Sequence, residues 1–599
     1  MERMLRGLPA SPGIVTGPVH LLRWEVPDVP PRIVTDAEVP GELSRFHDAV
    51  ARAKERLRQV RDRAAHQAGV EESMIFEVQI SILDDRALNE EVEGFIRDRR
   101  AAEYAFDLVM LEWRRRFGRA SAPMLRERIG DLLDLHIRVL GILLALPDSD
   151  PVDLPKGSNA ILVTHDLTPS LTVQLDREAI AAIATDEGTS TSHVAILARS
   201  LGLPAVVGLR DATTRLRGSE RVVLDGTTGV LVVNPTDEEI AQARLRAEAA
   251  AILEESLRSQ ATVAAQLRGG ERIFLRANVD FPEESELAAQ SGADGVGLMR
   301  TEFVVLGRTS MPDEDEQYRA YRRVVDAFSG KPVVIRTFDI GGDKLPVGGF
   351  PTEANPFLGW RAIRMCLDQP ELFLVQLRAL LRAAAHGDVR ILLPLVVSVD
   401  EVRRTRALIA EAARTLNERG AVFRDRVQVG VMIETPAAAV AADTFVNDAD
   451  FFSIGTNDLV QYTLAVDRGN VNLAARFTPL HPAVLRLIQS TVEAGKRRGL
   501  EVGVCGEMAS HPLTAFVLVG LGIRNLSVAP RAVPFMKRML RSVSSESAKE
   551  AADAALASST AAEAERVVRR LLQAAAYDLS PSELGLLGSE TGDILGYTV

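Results

Sequence analysis

Two groups of residues in this sequence have the types and positions needed to do chemistry. The first is His193, in the stretch TSHVAILARSLGLPAVVG, where an imidazole stands between hydroxyl residues and an apolar, helix-like run. Because its unperturbed pKa is about 6.5, a neutral imidazole is available as a nucleophile near neutral pH. The main-chain N–H groups at the start of the following helix would favour an incoming anion. His193 is therefore a candidate nucleophile, with an ordinary polar cap residue as the alternative.

The second group lies in the C-terminal half, where short apolar runs end in polar residues: Arg300, Arg336 and Asp339, Glu434, Asn457 and Asp458, and Cys505 and Glu507. Two guanidinium forks suit a small ligand that carries phosphate and carboxylate oxygens. Two carboxylates, Glu434 and Asp458, are hard oxygen ligands of the kind that hold Mg²⁺ and leave positions for substrate oxygens. The combination predicts phosphoryl chemistry on a small acid.

Each of these side chains has a simpler interpretation when it is taken alone. An arginine at a strand end often forms a structural ion pair, and Glu434 or Asp458, just ahead of helix-like sequence, could cap a helix. Cys505 by itself is more typical of a small buried hydrophobe than of a reactive group. Only the joint pattern favours a catalytic site.

The elements that would position this second group form a repeating series. After Gly270 the sequence contains eight strand-like apolar runs with helix-like stretches between them, and the runs begin near residues 272, 295, 333, 390, 427, 450, 501 and 525. Eight such units predict a TIM (β/α)8 barrel, whose active-site residues project from the carboxyl ends of the strands. A doubly wound open sheet also alternates strands and helices, but eight units favour closure.

The first half of the chain has a different pattern of residue types. Short β-branched runs between turns occupy its beginning and the region after Ser158, whereas the block between them has hardly any Gly or Pro and the periodicity of about four helices. The fold class predicted is multidomain α/β, with a helical insertion in the first domain. The predicted parts are an α/β domain (1–30 and 148–235), the inserted helical block (31–147), a linker helix (236–269), the barrel (270–578) and a tail (579–599).

Composition excludes several classes of protein. The 599 residues are 46% hydrophobic and 25% charged, which is typical of a globular protein with several domains. A net charge of −12 provides no basic surface for nucleic acid. Neither a secretory signal nor a membrane span is predicted, and two cysteines are too few for a disulfide framework, so we expect a cytoplasmic protein.

Several longer motifs resemble one known family. The segments GVGLMRTEF, RTFDIGGDK, NPFLGWRAIR, VGVMIETPAA, DFFSIGTNDLVQYTLAVDRGN and GVCGEMA resemble enzyme I of the bacterial sugar phosphotransferase system, the phosphoenolpyruvate-protein phosphotransferase family. The segment around His193 resembles the phosphohistidine segment of that family. The resemblance extends from about residue 6 to about residue 578, and motifs of this length are specific.

The resemblance implies a swivelling phosphohistidine domain, a phosphoenolpyruvate-binding barrel that forms a homodimer, and a helical block that docks a small histidine-containing phosphocarrier protein (HPr). It implies that His193 is phosphorylated, that Mg²⁺ is held by Glu434 and Asp458, and that Cys505 donates a proton to the product pyruvate. The residues it implies for phosphoenolpyruvate binding are Arg300, Arg336, Arg361, Asn457, Asp458 and Arg468.

The sequence departs from the family pattern at Thr189, where a second glycine is usual after Gly188, and in a C-terminal tail to which nothing transfers. Two other functions remain open from the residues. One is a dikinase-like enzyme that uses ATP, against which stands the lack of a glycine-rich ATP loop. The other is a regulatory protein that senses phosphoenolpyruvate without turnover, against which stands the set of Arg300, Glu434, Asp458 and Cys505.

Overall fold

The chain divides into two compact units, Met1–Ala251 and Ile252–Glu590, each of which is described by itself. The computed structural model describes residues 3–22, 24, 26–67, 70–118, 129–146, 157–167, 171, 175, 179–188, 194–195, 198, 202–218, 220–305, 311–341, 353, 355–468, 473, 476–580 and 583–584. Within these residues no helix is long and apolar enough to cross a membrane.

The first unit is built on one mixed sheet. Its described strands are β1 (Met4–Arg6), β2 (Leu8–Ser11), β3 (Ile14–Leu22), β4 (Ala160–Thr164), β5 (Ile180–Thr185), β6 (Ala205–Val207), β7 (Arg221–Asp225) and β8 (Val230–Val233). The order across the sheet is β1-β8-β7-β3-β4-β5-β6-β2. Parallel pairing of β3 with β4, with Val19 opposite Ile161, joins segments on either side of the helical block. The helical block is therefore inserted between two neighbouring strands of this sheet.

The inserted block is a helical bundle around an apolar core. Its described helices are α1 (Val39–Gln67), α2 (Val70–Leu83), α3 (Arg86–Arg97), α4 (Ala102–Gly118) and α5 (Ile129–Leu143). Phe46, Phe76 and Phe106 fill the core and are fully buried. The described part thus has five helices, not the four expected, because Asp85 caps a new helix: its Oδ1 accepts from the N–H groups of Ala87 and Leu88 at 2.7 and 3.1 Å.

Beyond the short helix α6 (Ala212–Arg215), the α7 helix (Asp237–Ser259) follows the sheet. It is shorter than the linker helix expected over residues 236–269. After Ser259 the chain turns back on itself: the N–H of Leu267 donates to the carbonyl of Glu271 at 2.8 Å, and Gln266 pairs with Arg272. The intervening Gly270, at φ +89°, makes that tight reversal possible.

The second unit is a closed parallel barrel. Its strands are β9 (Phe274–Val279), β10 (Val296–Met299), β11 (Pro332–Arg336), β12 (Asp388–Leu393), β13 (Gln428–Ile433), β14 (Phe451–Ile454), β15 (Glu501–Val504) and β16 (Asn525–Val528). Each strand pairs with the next, and β16 closes on β9 with Ser527 opposite Arg276. All eight strands fall on the predicted apolar runs, so the predicted barrel and the multidomain α/β fold class are confirmed.

Helices surround the barrel and follow its strands. Those described are α8 (Ser285–Gln290), α9 (Glu314–Ala327), α10 (Ala362–Asp368), α11 (Pro370–Ala384), α12 (Val399–Glu418), α13 (Pro436–Val440), α14 (Ala442–Phe445), α15 (Thr456–Leu464), α16 (Pro482–Arg498), α17 (Pro512–Gly520), α18 (Val533–Arg541), α19 (Ser545–Ala557) and α20 (Ala561–Ala575). Inside the barrel, an apolar layer of Leu298, Val334, Leu392, Met432 and Phe451 supports the carboxyl ends of the strands.

Candidate active site at the barrel mouth

The carboxyl ends of the barrel strands carry most of the residues singled out in the sequence. Arg300 follows β10, Arg336 ends β11, Glu434 follows β13 and Cys505 follows β15. Asp458 lies in the first turn of α15, directly after β14. Since parallel strands in a barrel end on the same rim, the fold directs these residues to one mouth.

Two buried arginines form the floor of this mouth together with acidic side chains. Arg336 donates from Nη2 to Glu302 Oε1 at 2.7 Å, and its Nη1 lies 2.8 Å from Asp339 Oδ2. Arg361 donates from Nη2 to Asp339 Oδ1 at 2.6 Å and lies 3.5 Å from Asp458 Oδ2. Asp339 thus holds both guanidinium groups at once, which fixes the distance between two cationic forks.

The acidic neighbours keep both arginines charged despite their burial. Burial lowers the pKa of Arg336, but Glu302, Asp339, Glu434 and Asp458 together raise it above its ordinary value. Burial likewise lowers the pKa of Arg361, and the nearby carboxylates more than compensate. Both guanidinium groups therefore remain charged in a buried setting, where electrostatic interactions are stronger than in water.

Glu434 is the most deeply buried carboxylate of the mouth, at 2% exposure. Its Oε1 accepts from the N–H of Leu395 at 2.6 Å. Leu395 has a left-handed backbone, φ +56°, which turns its N–H toward the carboxylate at the cost of some strain. Burial raises the pKa of Glu434 well above its usual range, and the negative charges of Asp458 and Asp339 raise it further.

The backbone beside Glu434 leaves room at its free oxygen. A Cβ at Gly455 would lie 2.7 Å from Glu434 Oε2, so only glycine fits at this position in the present arrangement. Thr435 caps the next helix by accepting from the N–H of Ala438 at 3.1 Å, and Pro436 occupies its first turn. The chain therefore turns away directly after Glu434, and the carboxylate remains at the mouth.

The remaining candidates lie at the rim. Arg300 donates to Asp280 Oδ2 at 3.2 Å. Asn457 and Glu507 exchange two hydrogen bonds, with Nδ2 donating to Glu507 Oε1 at 2.6 Å and Oδ1 accepting from the Glu507 N–H at 2.9 Å. Arg468 lies 3.9 Å from the same Oε1. With 39% and 36% of their side chains exposed, Arg300 and Arg468 can move toward a ligand, unlike the floor pair at 11%.

Cys505 lies beneath the mouth, against the apolar layer. Its Sγ is 3.7 Å from the carbonyl oxygen of Ile454, a distance at which a thiol donates weakly. Burial raises the pKa of the Cys505 thiol to about 11, and the charge of Glu434 raises it as well, against the opposing effects of Ser453, Arg336 and Arg300. Near neutral pH the sulfur therefore keeps its proton.

Known proteins resemble this chain along nearly its whole length. Residues 6–128 match the model of the PEP-utilising enzyme N-terminal domain, residues 156–229 that of the mobile domain, and residues 254–545 that of the PEP-binding domain. The phosphoenolpyruvate-protein phosphotransferase of Geobacillus stearothermophilus is 40% identical over 574 residues, covering 95% of this chain and 98% of that protein.

The same name belongs to relatives in Haemophilus influenzae, 39% identical over 573 residues, and Bacillus subtilis, 38% identical over 571 residues. These alignments cover 95% and 93% of this chain and 99% and 98% of the relatives. The chain belongs to the phosphoenolpyruvate-protein phosphotransferase family. The resemblance drawn from the motifs is confirmed.

The family's mobile-domain segment contains His193, which lies outside the described residues together with Thr189. The residues next to them are described: Gly188 adopts φ +111°, and Val194 and Ala195 belong to the buried core of the sheet. His193 and the backbone of Thr189 therefore stay sequence-based predictions.

Two acidic residues of the family's PEP-binding segment were not singled out in the sequence. Glu302 accepts from Arg336 and from the Asp339 N–H at 3.2 Å, and Asp280 accepts from Arg300. Glu302 stands two residues after Arg300 in the same RTEF motif, which was a usable signal, whereas Asp280 follows a strand with no motif around it. Both act on arginines, so they hold the binding groups in place.

Proposed function

We propose that this protein transfers the phosphoryl group of phosphoenolpyruvate to its own His193, with release of pyruvate, and then passes it to a histidine of a small phosphocarrier protein (HPr). This is the first step of a sugar phosphotransferase system. The observation that carries the proposal is the buried mouth of Arg336, Arg361, Glu434 and Asp458 inside the family's PEP-binding segment.

Four arginines would bind phosphoenolpyruvate, a small trianion, from two sides. Arg336 and Arg361, fixed by Asp339, present charge at the floor, and Arg300 and Arg468 approach from the rim. Phosphoryl transfer requires mainly positioning and charge neutralisation, so four guanidinium groups around one phosphate and one carboxylate suit the reaction. Asn457, held by Glu507, adds an amide at the same rim.

Glu434 and Asp458 fit a divalent cation such as Mg²⁺. Both are hard oxygen donors, they are buried, and their mutual repulsion raises the pKa of Glu434. The missing side chain of Gly455 leaves space at Glu434 Oε2. The described parts of the chain hold no cluster of three or more His, Cys, Asp or Glu ligands, so water and substrate would have to complete the coordination of such an ion. When bound, the ion would neutralise charge on the phosphoryl oxygens.

Cys505 supplies a proton at carbon. Loss of the phosphoryl group leaves the enolate of pyruvate, whose methylene carbon must gain one proton. A thiol that stays protonated because burial raises its pKa to about 11 is a competent donor. For Cys505→Ala we expect pyruvate formation to slow about a hundredfold, whereas exchange of the phosphoryl group between His193 and the carrier continues. Equal loss of both half-reactions would contradict this role.

The remaining parts follow from the family. We propose that residues 1–30 and 148–235 carry His193 to the mouth and away from it, that residues 31–147 dock the carrier, and that the barrel, residues 270–578, forms a homodimer. A nucleophile on one domain and a substrate on another require such a domain movement.

The test is labelling with ³²P-phosphoenolpyruvate and Mg²⁺. The unaltered protein should acquire an acid-labile label, pass it to a carrier and release pyruvate. His193→Ala should acquire none, whereas the exposed control His386→Ala should label normally. Undiminished labelling of the His193 variant would refute the proposal. Label from γ-³²P-ATP alone would favour the dikinase function, and binding without pyruvate release would favour the sensor.

A further inference from the structure

Below Cys505, one side of the barrel interior is polar. Its apolar layer is interrupted by inward-facing residues of β14, β15, β16 and β9, namely Ser453, Gly503, Ser527, Asn525 and Arg276, with Glu501 at the lower end. Ser527 donates to Asn278 Oδ1 at 2.6 Å, and Asn278 Nδ2 reaches the carbonyl of Cys505 at 3.4 Å. Polar groups thus extend from the bottom of the barrel to the backbone carbonyl of Cys505.

These residues line a cavity of about 20 Å³. A buried water needs about 10–15 Å³ and two or more polar partners, so the cavity has room for one. Two residues that line the cavity could bond such a water. Among the described residues, Arg276 Nε and Asn525 Oδ1 are buried without a hydrogen-bond partner. The Arg276 side chain is nine-tenths buried. Its Nε–H can donate a hydrogen bond to the water, and Asn525 Oδ1 can accept one from it.

The cavity is lined by Ser453 on the side of the thiol and by the partly exposed Glu501 at the lower end of the barrel. Ser453 lies opposite Gly503 on the neighbouring strand, so its side chain is on the same face as Cys505 two residues further on; the Ser453 hydroxyl opposes the rise that burial causes in the pKa of the Cys505 thiol. At its other end lies Glu501, whose Oε1 accepts from Arg276 at 2.7 Å and whose side chain is 31% exposed. A proton therefore has a path of polar groups from bulk water at the lower end to Cys505.

Cys505 itself is 3% exposed, and a substrate in the mouth covers it further. We propose that Ser453 and the water-sized cavity beneath it return a proton to Cys505 after each turnover. The inference rests on the proposed function, because it concerns the thiol that has just protonated the enolate.

The proton balance is simple. The Cys505 S–H bond breaks and a C–H bond forms on the enolate, which becomes pyruvate. The thiolate then takes the proton of the Ser453 hydroxyl, the serine oxygen takes one from the cavity water, and that water takes one from bulk solvent beside Glu501. No electron is exchanged, and each oxygen recovers its original proton count.

The path predicts a separation between the first turnover and later ones. In Ser453→Ala, Cys505 begins protonated, so the first pyruvate per chain should form at the rate of the unaltered protein. With excess carrier to discharge His193, steady-state pyruvate formation should then fall about tenfold. The control is Ser542→Ala, another buried serine of this unit, which donates only to the Met539 carbonyl at 2.6 Å and should show no such separation.

Two further variants separate the path from a packing effect. Gly503→Ala would place a Cβ 3.3 Å from Asn525 Cβ and fill part of the cavity while both Ser453 and Cys505 remain, so it should slow only the later turnovers. Ser453→Thr keeps the hydroxyl and should restore them.

Slowing of the first turnover as much as the later ones in Ser453→Ala would show a merely structural role. No slowing at all would show that the mouth supplies the proton. Either result overturns the inference. Absence of a first pyruvate from the unaltered protein would instead refute the proposed function.

Discussion

Two regions of this protein bury clusters of charged and polar side chains, and they differ in what those clusters leave open. At the barrel mouth, Arg336, Arg361, Glu434 and Asp458 come from the ends of different barrel elements and converge on one opening. A second cluster, here called the bundle cluster, consists of Gln79, Asp107, Asp134 and His136 in the helical block and of Trp24 in the segment before it.

The hydrogen bonds of the bundle cluster join its own members, although Gln79 Oε1 and His136 Nδ1 are buried without a partner among the described residues. Trp24 Nε1 donates to Asp134 Oδ1 at 2.6 Å, and Gln79 Nε2 approaches Asp134 Oδ2 at 3.3 Å. His136 is fully buried and its Nε2 lies 2.9 Å from Asp107 Oδ1. Burial and, to a lesser degree, the charge of Arg114 lower the pKa of His136 to about 4. The imidazole is therefore neutral near neutral pH.

The contrast shows that burial of polar groups is not by itself a sign of catalysis. Both regions shift pKa values, but in the bundle cluster the shift neutralises a histidine between helices, whereas at the barrel mouth nearby carboxylates keep buried arginines charged. Substitutions at the mouth should therefore cost activity with little stability, and substitutions in the bundle cluster should cost stability with little activity.

The largest effect is expected for Glu434→Gln. The amide keeps the shape and an acceptor for the Leu395 N–H but loses the charge that would hold a cation, so pyruvate formation should fall by about 10³-fold. The temperature of unfolding should not fall, because the substitution removes a buried charge that Asp458 repels. A drop of several degrees with activity retained would reverse the assignment of this region.

Arg336→Lys should be nearly as damaging. An ammonium cannot bond Glu302 and Asp339 together and still face a phosphate, so a loss of about 10²-fold in pyruvate formation is expected. The matched control is Arg390→Lys at the lower end of the barrel interior, where the guanidinium bonds Glu501 and Asp388 at 3.3 and 3.0 Å. Similar losses in both variants would show that packing, not ligand contact, is measured.

The next largest effect is expected for the pH dependence of the free energy of unfolding, to which His136 contributes. Its folded pKa of about 4 lies below the ordinary 6.5, so the unfolded chain binds a proton first as pH falls. Stability is full above pH 6.5 and should drop by about 3 kcal/mol toward pH 4. Denaturant unfolding of the full chain measures this, and His136→Gln should flatten the profile in that window. An unchanged profile would show that His136 is not buried neutral.

The smallest effect is expected for Trp24→Phe. The substitution keeps a ring but removes the N–H that donates to Asp134, which should lower the free energy of unfolding by about 1 kcal/mol. Labelling by phosphoenolpyruvate should be unchanged. If instead labelling fell and stability held, the bundle cluster would have a functional part.

Much of the barrel was predictable from local pattern. All eight strands coincide with the apolar runs, and Arg300, Arg336, Glu434 and Cys505 follow them because a strand-end position is set by its own neighbours in sequence. The break at Asp85 was missed because the apolar periodicity continues across it, and α7 ended early because a hairpin-like turn near Gly270 overrides helix propensity.

The site was less predictable where it depends on residues far apart in the chain. Nothing near Leu395 signals that its N–H serves Glu434, and nothing near Asp280 signals its bond to Arg300. The cavity below Cys505 exists because Gly503, Ser453 and Asn525 face each other across three strands, and no single segment contains that information.

The sequence by itself determined which chemical groups exist and which strand each follows, since periodicity and turn residues act over a few positions. It also determined the family, through long motifs. Only the tertiary structure decided which carboxylate holds which arginine, how deeply Glu434 and Cys505 are buried, and where a water fits inside the barrel. Those properties arise from closure and register, because burial and electrostatic coupling depend on neighbours that folding, not sequence order, brings within a few ångströms.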